Sequence, residues 1–379
     1  HVLIECISVA GIGKDLKARV TAADLPGLWT GDSALISYRV PVIMGLTGSG
    51  VSLRSQTTGN SLVEIHGENF GPPYSAPCTR VVAFKDPLLV KYGGIYTAKC
   101  CEVVSDMKIE CLTTDGVGSN HSWSVTLADQ TSVIFTATTT SYAPPIIRDY
   151  MKVKVDVTMF NTQGGEEIKI IGRNFGPYTG TRGMQNFNSI SYGQDKGLDF
   201  ILNATEDCRM TNAHTEIQCT IATGAGTELK WIIYVSGQES VSPTTAYAPP
   251  TIISIGPPHL RKKLQQQGGD VIYISGTNFG PKGSPGPYLE KVSYGFKGSK
   301  YDITGGCSVS VDSVEITCTT SKGIGGHREN GHIWYVTIRG QRSAKNTAAN
   351  ATTSYLRPML SKLVADHGPT DAIKVIQGV

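Results

Sequence analysis

VEIHGENFGP (residues 63–72) alternates apolar and polar side chains and then stops on Gly, Asn, Phe, Gly and Pro. A period of two puts Val63 and Ile65 on one face and Glu64 and His66 on the other, the pattern of a strand with one buried and one wet face. The segment that follows reads as a turn. Asn and Gly tolerate positive φ, Pro ends strand pairing, and Phe70 can reach back toward a core. The figure returns as IKIIGRNFGP (168–177) and IYISGTNFGP (272–281), with Gly67, Gly172 and Gly276 spaced 105 and 104 residues apart. Such a period is too long for a solenoid coil and fits one small domain per repeat.

Three further landmarks follow each copy in fixed order. A cysteine closes an Ile-x-Cys step and leads to Gly-x-Gly, in IECLTTDGVG (109–118), IQCTIATGAG (217–226) and ITCTTSKGIG (316–325). Trp123, Trp231 and Trp334 then open alternating strands, and Tyr142, Tyr247 and Tyr355 are each followed within three residues by a proline, with Tyr38 as an earlier copy. Boundaries fall at VPVI (40–43), APPII (143–147), APPTI (248–252) and RPML (357–360), where proline stiffens a linker without interrupting a sheet ladder. The expected domains are residues 41–144, 145–249 and 250–357, flanked by the back half of a domain at 1–40 and the first strands of another at 358–379.

Each repeat holds about seven strand-like runs in roughly 100 residues, the density of an immunoglobulin-like sandwich. The chain of 379 residues has 43 Gly, 19 Pro and only 17% charged residues, and no long window shows helical periodicity with caps. The expected fold class is all-β, a row of tandem sandwiches forming a linear rod. The order GxNFGP, closing Cys, Gly-x-Gly and Tyr-x-Pro-Pro resembles IPT/TIG domains, the immunoglobulin-like modules of plexins, Met-type receptors and many protist cell-surface proteins. The resemblance spans nearly the whole chain and implies a fold and a compartment more strongly than a partner.

Nine cysteines at patterned positions point to an oxidising, secretory setting. Cys208 with Cys219 and Cys307 with Cys318 lie eleven residues apart and Cys101 with Cys111 ten apart, so each pair is expected to staple a hairpin. Cys78 and Cys100 remain and are paired with each other. A zinc reading of Cys100 and Cys101 lacks Cys-x-x-Cys spacing and a nearby His. The partner of Cys6 would lie before His1, so Cys6 is expected to be unpaired through truncation. Asn120, Asn203 and Asn350 begin Asn-x-Ser/Thr sequons, one per repeat, and are expected to carry glycans. Thr-rich TATTTSYAPP (136–145) is a compositional candidate for O-linked sugar.

No catalytic constellation, cofactor site or metal site is expected. The eight histidines are scattered, and only His327, Glu329 and His332 lie close together, in a loop that reads as a glycine-rich hairpin connection. GLTGSGVS (45–52) lacks the Gly-Lys-Ser/Thr ending of a phosphate loop, and the Gly-x-Gly figures lead into strands rather than helices. A net charge of +3 from 34 basic and 31 acidic residues, spread thinly, gives no nucleic-acid footprint. The one dense basic run, His259 to Lys263, reads as a solvated loop. No stretch approaches the roughly 20 apolar residues of a membrane span.

The sequence therefore points to a non-enzymatic extracellular or cell-surface protein, structural or adhesive, with Trp123, Trp231 and Trp334 as core residues rather than a sugar-binding platform. Its expected partners are copies of itself or neighbouring repeats. The ragged ends belong to a window of a longer array or, alternatively, dock head to tail between chains as a filament. A receptor ectodomain that presents one repeat to a protein ligand is the other functional reading.

Overall fold

The structure, a computed structural model, describes residues 3–75, 78, 87–152, 159–178, 187–194, 197, 199–203, 206–240, 243–256, 263–282, 288–326 and 331–359. Almost every regular element is a strand. The chain divides into two compact units, one of His1–Asp156, Glu167–Thr220 and Lys230–Thr244, the other of Val157–Glu166, Ile221–Leu229 and Thr245–Val379.

The first unit contains the whole first repeat. One sheet runs in the order Val42–Thr47, Leu62–Glu68, Lys108–Leu112, Lys99–Ser105 and Tyr74–Ser75. A second runs Gln130–Thr131, His121–Leu127, Leu88–Tyr92 and Tyr96–Thr97, with Phe135–Thr140 also on His121–Leu127. All pairs within both sheets are antiparallel. Val63, Ile65, Ile109 and Cys111 from the first sheet and Val90, Tyr92, Trp123 and Val125 from the second share one buried core. Two twisted sheets enclosing a single apolar layer make an immunoglobulin-like sandwich. The same unit holds a sheet of the second repeat, ordered Ile146–Lys152, Glu167–Arg173, Glu216–Thr220 and Cys208–Asn212. There, too, Phe187–Gly193 pairs with Phe200–Asn203 and with residues 230–235.

The second unit repeats the plan. Thr251–Ile255, Val271–Thr277, Glu315–Thr319 and Cys307–Val311 form one sheet. Lys263–Leu264, Thr352–Tyr355, His332–Ile338, Leu289–Gly295 and Tyr301–Asp302 form the other, in that order. Lys263–Leu264 runs parallel to Thr352–Tyr355, as Met159–Phe160 does to Ala246 and Tyr247.

GxNFGP sets the edge of each sandwich. Asn69, Asn174 and Asn278 take positive φ, and so do Gly71, Gly176 and Gly280 one residue past the phenylalanine. That turn folds Phe70, Phe175 and Phe279 back into the core, each at most 1% exposed. The leading glycine serves a different end. A methyl on Gly67, Gly172 or Gly276 would run into the carbonyl oxygen of Val42, Ile146 or Thr251 on the neighbouring strand and into the folded-back phenyl ring. Glycine is required there for close approach rather than for positive φ. In all three repeats the strand opposite this glycine shifts register immediately afterwards.

Disulfides join Cys101 to Cys111, Cys208 to Cys219, Cys307 to Cys318 and Cys78 to Cys100. Cys208 and Cys307 lie directly across the ladder from Cys219 and Cys318. A loop of this length removes about 2 to 3 kcal/mol of unfolded-state freedom in the chain-entropy picture. Cys6 is exposed and unpaired. No helix among the described residues is long and apolar enough to cross a membrane.

Candidate functional site: the repeat junctions

Among the described residues no group of three or more His, Cys, Asp or Glu is placed to hold a metal ion. His327 and Glu329 lie outside the described residues. His332 is buried against the rings of Tyr294, Tyr301 and Tyr355. Trp123, Trp231 and Trp334 are core residues, each at most 1% exposed, and they stack on Tyr92, Tyr192 and Tyr294 with centroids 4.5, 4.3 and 4.1 Å apart. Trp123 and Trp334 donate their indole N–H to Thr140 and Thr353 at 3.0 Å. Of the sequon asparagines, Asn120 and Asn350 are exposed. Asn203 ends the strand Phe200–Asn203, while Ala204 and Thr205 of its sequon lie outside the described residues.

Behind each tryptophan sits the tyrosine that precedes the prolines. Tyr142 shares a 2.7 Å hydrogen bond with the hydroxyl of Tyr92 and donates to the carbonyl of Thr114. Tyr355 meets Tyr294 in the same way and donates to the carbonyl of Ser321, while Tyr247 donates to Ala222. Burial pushes Tyr92 up to about 12 and raises Tyr142 and Tyr355 as well, so these phenols stay neutral hydrogen-bonding groups. Gly116, which opens its Gly-x-Gly figure, leaves room for the ring of Tyr96 and the hydroxyl of Tyr142, and Gly323 leaves room for the ring of Tyr355.

His121 packs on this cluster, edge-on to Tyr92, Tyr96 and Tyr142, with Nε2 3.1 Å from the carbonyl of Val117. Burial holds its imidazole below the ordinary range. The second repeat carries buried Leu229 at this position, two residues before its tryptophan. A histidine with a depressed folded-state pKa binds its proton more readily when unfolded. The first repeat should therefore keep its full stability above the unfolded value and lose stability as pH falls through it. In His121→Leu, the protection factors of the strand Leu88–Tyr92, corrected for intrinsic exchange, are expected to lose most of their fall between about pH 7.5 and 5, the range in which histidine titrates. An unchanged acid response would assign the effect to other groups.

The proline segments are held from the repeat that follows them. Asn69, Asn174 and Asn278 of the turn donate side-chain N–H groups to the carbonyls of Val40, Pro144 and Pro249 at 3.0 to 3.2 Å. A second donor is a glutamine. Gln130, Gln238 and Gln341 donate Nε2–H to the carbonyls of Tyr38, Tyr142 and Tyr247 at 2.8, 2.9 and 2.8 Å. Each glutamine is the first residue after a two-residue hairpin turn whose central pair has positive φ: Ala128 and Asp129, Ser236 and Gly237, Arg339 and Gly340. Two residues on, Ser132, Ser240 and Ser343 accept the N–H of Val125, Ile233 and Val336 through Oγ, which fixes the hairpin. The signal was present as WSVTLADQTS (123–132), WIIYVSGQES (231–240) and WYVTIRGQRS (334–343), a Gln seven residues and a Ser nine residues past each Trp. A further polar contact joins neighbouring repeats, Thr57 to Nδ1 of His214 at 2.8 Å and, at the equivalent place, Thr162 to Ser313 at 2.8 Å.

No protein-family model matches this chain, and no curated protein matches it. Among solved structures it is similar to the plexin A4 extracellular region at 16% identity, covering 75% of this chain and 21% of that one with a TM-score of 0.23. A surface glycan-binding protein from Prevotella bryantii shares 15% identity over 54% of this chain and 41% of its own, with a TM-score of 0.30. The I9–I11 tandem of titin shares 8% identity over 81% and 95%, with a TM-score of 0.23. The chain thus spans well under half the length of the plexin and the glycan-binding protein.

Proposed function

We propose that the chain is a non-enzymatic, extracellular structural or adhesive element built from IPT/TIG-type repeats and carrying N-linked glycans. The observation that carries this reading is one disulfide-stapled sandwich design used repeatedly, with its largest aromatic side chains spent on packing and on the junctions. Disulfides of this number belong to oxidising compartments, and the exposed Asn120 and Asn350 offer acceptor positions for glycans.

Secretion from a eukaryotic host tests the compartment and the glycans together. Peptide mass spectrometry after enzymatic glycan release is expected to find Asn120 and Asn350 converted to Asp, with all four disulfides formed. Unmodified sequons would remove the glycan part of the proposal. Negative-stain microscopy of native material then tests the mechanical part. Regular fibres support a structural element, whereas dispersed monomers that bind one soluble protein would favour a receptor ectodomain.

A further inference from the structure

The peptide that joins Tyr142 to Ala143 is hydrogen-bonded on opposite edges to two different repeats. Its N–H, on Ala143, donates to the carbonyl of Ser55 in the first repeat at 2.7 Å. Its carbonyl, on Tyr142, accepts from Gln238 in the second repeat at 2.9 Å. The peptide between Tyr247 and Ala248 is held alike, its N–H donating to Phe160 of the second repeat at 2.8 Å and its carbonyl accepting from Gln341 of the third at 2.8 Å. The tyrosine itself is anchored backwards, since the N–H groups of Tyr142 and Tyr247 donate to Gly118 and Gly226 of their own repeats at 2.8 Å. At Tyr38 the same features return: its N–H donates to Gly13 at 2.9 Å, its hydroxyl to Val9 at 2.8 Å, and its carbonyl accepts from Gln130.

We propose that the hairpin carrying Trp-x6-Gln-x-Ser is a recognition surface for the Tyr-x-Pro end of the preceding repeat, and that its glutamine couples successive repeats through one shared peptide plane. A peptide plane resists twisting with a barrier of about 18 to 20 kcal/mol. No rotatable backbone bond therefore lies between its N–H and its carbonyl, and a swivel of neighbouring repeats strains one of the two hydrogen bonds. Proline completes the device. It fixes φ one residue past the shared plane, at Pro144 and Pro249, and carries no N–H that could compete for these acceptors. The following Asn takes the carbonyl two residues beyond the tyrosine, so the crossing segment is gripped twice from the front. The partner is read through main-chain atoms, and for this reason the residue after the tyrosine varies between Arg39, Ala143 and Ala248. The coupling depends on this geometry alone and stands whether or not the adhesive reading holds.

Pulsed electron paramagnetic resonance on the whole chain tests it. Spin labels at Ile95→Cys and Ile201→Cys, both exposed side chains in the first unit, report the junction between the first and second repeats in a Cys6→Ser background. Gln238→Met keeps the length of the side chain and removes the donor. The population of swivelled arrangements is expected to rise about five-fold, the change produced by losing one hydrogen bond of ordinary strength, and to broaden the distance distribution. Gln341→Met, at the other junction, should leave this distribution unchanged. Gln238→Asn, one methylene shorter, should broaden it as Met does, which keeps the test decisive should the Met variant fold poorly. A distribution as narrow in Gln238→Met and Gln238→Asn as in the parent would overturn the coupling role, and so would equal broadening by Gln341→Met.

Discussion

Gly67→Ala is expected to destabilise the first repeat by about 3 kcal/mol or more, at the top of the range for overpacked sites. The added methyl has no way out. It would meet the carbonyl of Val42, a main-chain atom held in the ladder beside it, and the ring of Phe70, which is buried in the core. Relief requires the strand Val42–Thr47 to move away from Leu62–Glu68, which gives up hydrogen bonds and the packing of Ile43 and Leu46 together. Gly45→Ala, on the same pair of strands, is the control. Nothing lies within 4 Å of its methyl and its φ is not positive, so it should be neutral or stabilising by less than about 1 kcal/mol. Hydrogen exchange of the amides in Leu62–Glu68 measures both. Comparable protection in Gly67→Ala and Gly45→Ala would mean that the glycine is dispensable and that the turn alone sets the edge.

This contrast also shows what the sequence could say about the fold. Alternation in VEIHGENFGP announced a half-buried strand, and Asn-Phe-Gly-Pro announced its turn, because both patterns are local and use side chains with few alternatives. The role of Gly67 was less legible. A glycine at a strand end reads as permission for positive φ, whereas the structure uses it for the approach of a strand that comes from 25 residues earlier, at Val42. Close approach is a property of two segments, and a single segment does not display it. Trp123, Trp231 and Trp334 were legible as core residues because each begins an alternating run and recurs at the same place in the repeat. Their stacking on Tyr92, Tyr192 and Tyr294 was not, since that pairing depends on the register of strands about 31 to 40 residues apart in the chain.

The junctions were legible in half. Pro-rich boundaries and the Tyr before them stand out by composition, so the place of each handover could be read directly. The glutamine that receives the handover lay in view, seven residues past each Trp, yet a polar residue after a hairpin turn has an ordinary reading as a solvated side chain. What distinguishes Gln130, Gln238 and Gln341 is the main-chain carbonyl opposite them, 92 to 96 residues earlier in the chain. Main-chain acceptors leave no trace in side-chain identity, so only the repetition of the donor could have revealed them. His121 presents the converse case. Its difference from Leu229 is visible in the sequence, but its consequence for pH dependence required knowing that both side chains lie beside the junction tyrosine's cluster or in the equivalent buried position.

Trp123→Ala should cost the first repeat about 3 to 5 kcal/mol, the usual price of removing a large buried aromatic side chain. Three losses coincide. The indole is fully buried, so its removal leaves a cavity between the two sheets. Its stacking on Tyr92, at 4.5 Å and 11° between planes, disappears, and Tyr92 is the group that binds the hydroxyl of Tyr142. Thr140 also loses the indole N–H that it accepts. Because Tyr142 supplies the carbonyl that Gln238 holds, the damage should extend to the junction. Amide exchange is expected to accelerate not only in His121–Leu127 but also at Ala143. Trp123→Phe separates the parts: it refills most of the cavity and keeps a ring on Tyr92 while losing the hydrogen bond to Thr140, and it should cost about 1 to 2 kcal/mol with little change at Ala143. Trp29, which is exposed and lies under the guanidinium of Arg19, provides the comparison, and Trp29→Ala should change stability by no more than about 0.5 kcal/mol. If Trp123→Ala were tolerated as well as Trp29→Ala, the indole would not be a core residue, and its position on the strand would have to be explained by a ligand instead.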